Sequence, residues 1–168
     1  DLLRREFGLG LGGVGLPLAV IAGVTALGGL AGGLVSSRLL DRGMAPTKAR
    51  RLVMLACALL ALALPTVLHK SSVWIAVSLQ CLVMAAHQGF SVNLFALTAD
   101  ITALRRVATT IGVAAFFGNL GGMFVLQASG WMLQNQYGYA PLLAFLAVSY
   151  LLALGWIQAW LPRTRTPS

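Results

Sequence analysis

Apolar residues run together in five long blocks, 15–37, 52–68, 73–99, 107–133 and 140–161, and nearly every charge falls in the short gaps between them. A helix rises about 1.5 Å per residue and must cross about 30 Å of hydrocarbon, so roughly 20 residues make one span. The second block is the shortest and needs its flanks to reach that length. Strands of a membrane barrel would show strict alternation over about ten residues, a pattern absent from these blocks. The pattern predicts an all-α, polytopic membrane bundle of five transmembrane helices.

Polar positions inside the blocks are fewer and more telling. In the third block Gln80, His87, Gln88, Ser91 and Thr98 share one sector of a helix about 100° wide. Asn93 projects elsewhere and is placed to bond a neighbouring helix, unless Gly89 shifts the helical phase. The fourth block carries a companion stripe of Thr109, Gly112, Phe116, Asn119, Met123 and Gln127. Polar groups at membrane depth are costly unless they face a bundle interior or water. The two stripes therefore predict either a midplane binding cavity or interhelical hydrogen bonds that only hold the bundle. His87, Gln88, Ser91, Asn93, Asn119 and Gln127 are the candidate substrate-binding residues. Of the side chains at that depth, His87 alone is of a type that changes charge near neutral pH.

Glycine spacing bears on how the helices meet. Gly28 with Gly32, Gly29 with Gly33, and Gly118 with Gly122 are small-xxx-small steps, which let helix backbones approach closely in lipid.

Composition and charge then narrow the class. With 58% hydrophobic and 10% charged residues and a mean hydropathy of +0.85, the chain lacks the polar surface of a soluble domain. Arg38, Arg42, Lys48, Arg50, Arg51, Arg105, Arg106, Arg163 and Arg165 fall on one side of alternating helices, against Arg4, Arg5 and Lys70 on the other. The positive-inside rule then predicts an outward N-terminus and a cytoplasmic C-terminus. The same distribution accounts for the net charge of +8 through the bilayer, with no nucleic acid as partner. Cys57 and Cys81 lie inside apolar blocks without metal-ligand spacing, so neither a metal nor a cofactor is implied. The acids are Asp1, Glu6, Asp41 and Asp100, none at mid-membrane, and no nucleophile has a plausible base, so an enzyme is not expected. Asp100 precedes Arg105 and Arg106, which predicts an interfacial ion pair or a gate latch. The first block is too long for a signal peptide, and a start at Asp1 suggests a fragment or processed chain.

The motifs carry a resemblance. His87-Gln-Gly-Phe-Ser-Val-Asn93-Leu-Phe, then Asp100, Arg105-Arg106-Val-Ala, Gly112 and Phe117-Gly-Asn-Leu-Gly-Gly122, resemble the penultimate helices of the anion:cation symporter family. That family is a branch of the major facilitator superfamily that includes hexuronate and galactonate transporters. Gly29-Leu-Ala-Gly-Gly-Leu-Val-Ser-Ser-Arg-Leu-Leu-Asp-Arg-Gly43, followed by Ala49-Arg-Arg51, resembles the cytoplasmic loop of its second half, with Ser37 where that loop usually has Asp.

The resemblance implies that the chain supplies helices 8–12 of a twelve-helix fold. Residues 1–168 would then be part of the C-terminal six-helix half, with helix 7 and the N-terminal half elsewhere. It implies proton-coupled symport of a small organic anion such as a sugar acid by alternating access. The N-terminal half would be the partner that brings the proton-coupling carboxylate and the substrate-clamping arginine. It further implies a gating set of Gly33, Arg38, Asp41, Arg42, Asp100, Arg105 and Arg106. The alternative, from another class, is a membrane scaffold or assembly protein without substrate.

Overall fold

The computed structural model describes residue 8, residues 10–69 and residues 72–160. Arg4, Arg5, Lys70, Arg163 and Arg165, which enter the charge asymmetry, lie outside the described residues, as do Asp1 and Glu6. Five helices, each long and apolar enough to cross a membrane, follow one another: α1 (Gly15–Asp41), α2 (Pro46–Ala61), α3 (Val73–Ile101), α4 (Val107–Gln134) and α5 (Ala140–Trp160). Among the described residues there is no strand. Along the helices many large apolar side chains are left exposed, Leu27, Leu30, Phe116, Phe124 and Leu126 among them, which suits lipid and not water as the surrounding solvent. Trp74, Trp131 and Tyr137 gather at one end of the bundle, as an interfacial aromatic belt would, with Trp131 and Tyr137 stacked 5.8 Å apart.

The short second block gains its length as its flanks require. Pro46 opens α2 at the first turn, where its missing N–H costs nothing, and the preceding Ala45 is extended, so the helix begins six residues before the apolar run. At the other end Pro65 cannot donate to a carbonyl one turn back. The α-helix stops at Ala61 and the chain continues as a tighter 3-10 helix over Leu64–His69, completing a span of 24 residues.

Two helix ends close in the same way. After α1, Gly43 takes φ +84° while its N–H bonds Leu40 O at 2.8 Å and the Met44 N–H bonds Leu39 O at 3.1 Å. This is a Schellman closure with glycine in the left-handed position. After α4 the same pair of bonds, Gln136 N to Leu133 O and Tyr137 N to Met132 O, forms around Gln136 at φ +61°. A side chain there costs about 1 kcal/mol that glycine avoids. Gln136→Gly is expected to leave the fold intact and raise the melting temperature slightly, by about 0.5–1 kcal/mol of stability; thermal unfolding in detergent checks it.

Packing is uneven. The main core joins α2, α3 and α5 through Met54, Cys57 and Ala58, Ala86 and Phe90, and Leu154. At the opposite end from Asp41 and Asp100, Val67, Ala76, Tyr139 and Leu143 bind the start of α5 to the 3-10 turn. Helix α1 lies against α3 through glycine: a Cβ at Gly28 would overlap the Ala85 backbone, and one at Gly32 would sit 2.7 Å from Gly89 Cα. Gly118 and Gly122, by contrast, have nothing within 4 Å of where a Cβ would stand. Their small-xxx-small step is thus no packing seam among the described residues, because α4 contributes no buried residue.

Candidate functional site

A cavity of about 470 Å³ opens between α3 and α4, lined by His87, Ser91 and Thr98 of α3 and by Gly118 and Asn119 of α4, with Leu94, Phe95, Ala114 and Ala115 between them. Two cavities of similar size elsewhere among the described residues have essentially apolar walls. One, of about 430 Å³, lies among α1, α2 and α3 beside Gly28 and Gly32, and the other, of about 450 Å³, between α4 and α5. Polarity singles out the first, because a hydroxyl, an imidazole and an amide in a lipid-spanning wall each carry a desolvation cost that water or a ligand would offset. None of the lining residues is charged.

Each polar wall residue is partly occupied by its own helix. Thr98 Oγ1 donates to Leu94 O at 2.9 Å, and Asn119 Nδ2 donates to Ala115 O at 2.8 Å, which leaves the Asn119 carbonyl oxygen and its second N–H available. His87 is held differently. Its Nδ1 lies 2.8 Å from the hydroxyl of Tyr150 on α5. The two rings meet edge-on at 5.9 Å, and Tyr150 also packs edge-on against Phe90 at 5.4 Å. A polar-tipped aromatic halfway along a fifth block whose other polar residues are Ser149 and Gln158 was the signal for Tyr150.

The structure brings together three of the six expected binding residues, His87, Ser91 and Asn119. Asn93 is a correction. It is fully buried in the α1–α3 seam, where Nδ2 donates to Gly32 O at 3.1 Å and to Gly89 O at 2.9 Å, so it ties two helices away from the cavity. Its Oδ1 has no partner among the described residues. Gln88 also turns to α1, where its Cγ lies 2.9 Å from the place a Cβ on Gly29 would take. Although Gln88 falls within the same 100° sector as His87, it lies at the edge of that sector facing the glycine seam. Gln127 is exposed and lies outside the cavity wall, two turns beyond Asn119.

At the end of the bundle carrying Asp41 and Asp100, the expected pairing of Asp100 with Arg105 or Arg106 is also corrected. Asp100 Oδ2 accepts from Arg50 Nε at 3.3 Å; Arg50 Nη1 donates to Ser36 Oγ at 2.6 Å; and Ser36 Oγ donates to Gly33 O at 2.9 Å. Thr102 and Ala103 are extended after α3, which carries Arg105 and Arg106 past Asp100 to an exposed turn. Of the expected gating residues Gly33 and Asp100 join this network, and Arg38, Asp41, Arg42, Arg105 and Arg106 are exposed. Ser36, fully buried, continues the Gly28–Gly32 spacing by one more turn, and that register was the sequence signal for it.

Among the described residues no group of three His, Cys, Asp or Glu side chains gathers to hold a metal. Cys57 and Cys81 are free and buried. The sequence profile of the Major Facilitator Superfamily matches residues 2–168. Comparison with individual curated proteins gives no match.

Proposed function

The chain belongs to the Major Facilitator Superfamily and is an integral membrane transporter chain, and from that premise we propose that it moves a small organic anion, such as a hexuronate or other sugar acid, together with protons by alternating access. The observation that carries the reading is the polar cavity between α3 and α4. Its imidazole, hydroxyls and amide offer donors and acceptors in the mixture that a polyhydroxylated cargo needs. A cavity of about 470 Å³ also lies within the range of small-molecule sites. The uncharged wall leaves the cargo's negative charge to be met from outside these helices. We assign that to an N-terminal half of the same transporter, seated over the face of α4 that buries nothing here. In this reading the Arg50 network lies at the cytoplasmic end, in an inner membrane, and ties α1, α2 and α3 when the transporter is closed there. The family does not favour a substrate-free scaffold.

The test is proton-driven uptake of glucuronate, galacturonate and galactonate by proteoliposomes holding the full-length transporter. His87→Ala is expected to abolish uptake. Asn119→Ala is expected to raise the apparent KM about tenfold, the worth of one hydrogen bond to cargo. Wild-type protein that takes up none of the three acids would move the cargo to another chemical class. Unchanged kinetics in both variants would remove the cavity from the transport path.

A further inference from the structure

Resting on the reading of the α3–α4 cavity as the cargo site, we propose that Tyr150 is a positioning residue that fixes His87 as the tautomer carrying its proton on Nε2. The site would then present the cargo with an imidazole N–H donor. The geometry supplies most of the argument. His87 is half-buried and part of the cavity wall, and its Nδ1 lies 2.8 Å from the Tyr150 hydroxyl. That contact commits one ring nitrogen to α5 and leaves Nε2, which has no protein partner among the described residues, as the nitrogen open to the cavity.

Chemistry decides the proton. A phenolic O–H is a stronger donor than a neutral imidazole N–H, and an imidazole nitrogen lone pair is a stronger acceptor than a phenol oxygen. The bond therefore runs from Tyr150 Oη to His87 Nδ1, and the ring proton goes to Nε2. The edge-on contacts of Tyr150 with both His87 and Phe90 hold the phenol in place, so the hydroxyl is aimed by packing as well as by its bond. None of the residues lining the cavity is an Asp, Glu, Lys or Arg that would impose another tautomer, and Tyr150 is the titratable group that meets His87 from α5. An Nε2–H on the α3 wall then supplies a fixed donor in the cavity that Asn119 of α4 also lines, and the Asn119 amide adds a carbonyl acceptor. A cargo carrying a hydroxyl beside a carboxylate matches that arrangement.

The decisive experiment needs no cargo. Full-length protein labelled with 15N-histidine is placed in lipid nanodiscs at mildly alkaline pH, and the His87 signals are identified by their loss in His87→Gln. The expected wild-type spectrum shows Nε2 bearing hydrogen and Nδ1 as the bare, hydrogen-bonded nitrogen. Tyr150→Phe keeps the ring contacts and removes the hydroxyl, and is expected to give the averaged shifts of exchanging tautomers. A wild-type spectrum with hydrogen on Nδ1, or on both nitrogens, overturns the assignment, and so does a Tyr150→Phe spectrum identical to wild type. Should that variant fail to fold, the wild-type spectrum still decides the tautomer. Loss of the tautomer assignment with His87→Ala still inactive in uptake would sink Tyr150 alone, whereas full uptake by His87→Ala would sink the cargo site itself.

Discussion

Leucine at Gly28 or Gly32 is expected to prevent the protein from accumulating as a monodisperse, folded species. At Gly28 the first added carbon already overlaps the Ala85 backbone, and at Gly32 it meets Gly89 Cα at 2.7 Å. In both cases the obstacle is main chain, which cannot rotate away as the end of a side chain can. Overpacking a core costs about 1–3 kcal/mol where side chains can give, and more where backbones must part. Separating α1 from α3 would also strip Asn93 of its bond to Gly32 O, leaving its amide with the bond to Gly89 O alone. Gly33→Ala is the matched control, because its nearest neighbour is Val92 Cγ1 at 3.8 Å, an ordinary contact. Size-exclusion profiles and thermal unfolding of the three variants in detergent make the comparison. A Gly28→Leu protein as stable as wild type would show that α1 does not lie on α3 this closely.

Arg50→Ala carries the second large effect, on conformation more than on folding. One guanidinium joins α2 to the partly exposed Asp100 of α3 and to the fully buried Ser36 of α1, so its loss removes the polar ties of α2 to both helices at once. With side-chain exposures of 15% and 31% the ion pair is not sealed from solvent, and we discount it accordingly. The two contacts together are worth about 1–2 kcal/mol, or about tenfold in an equilibrium between closed and open forms. A cysteine replacing Ser91 in the cavity wall should therefore react with a water-borne thiol reagent about ten times faster in the Arg50→Ala background. Asp100→Asn should move the rate in the same direction by less, since the bond to Ser36 survives. An unchanged rate in both would reduce the network to a structural tie.

Much of this architecture can be read from residue order, and the failures have physical reasons. Block length and hydropathy predict the five helices because lipid leaves few alternatives for satisfying backbone groups. The cavity residues His87, Ser91 and Asn119 follow from helical phase. Phase alone misassigns Gln88, since a stripe 100° wide is broad enough to meet both a neighbouring helix and a cavity. Asn93 was legible in its sector, which points to a neighbour, but placing it in the binding set required overriding that sector. Arg50 and Tyr150 escaped because each acts through a partner 50 or 63 residues away. Contacts of that kind depend on which helices are adjacent, and a five-helix hydropathy pattern does not encode adjacency. Arg105 and Arg106 were mispaired for the opposite reason: nearness in sequence suggested a bond that the extended Thr102–Ala103 step prevents.

The Asn93 clasp also sets the mechanics of the bundle. If α1 slid along α3 by one helical turn, about 5.4 Å, a slide one way would drive Val24 beside Ala85 in place of Gly28, a slide the other way would drive Ser36 beside Gly89 in place of Gly32, and either would break the clasp on Gly32. The two helices are therefore confined to moving together, as a single spar. Helix α4 has no comparable lock, burying no residue and joining α3 through an extended step. The cavity thus has one wall locked to α1, bearing His87, Ser91 and Thr98, and one wall, bearing Asn119, that no buried contact among the described residues fixes. A cargo long enough to touch both would bridge a locked helix and an unlocked one.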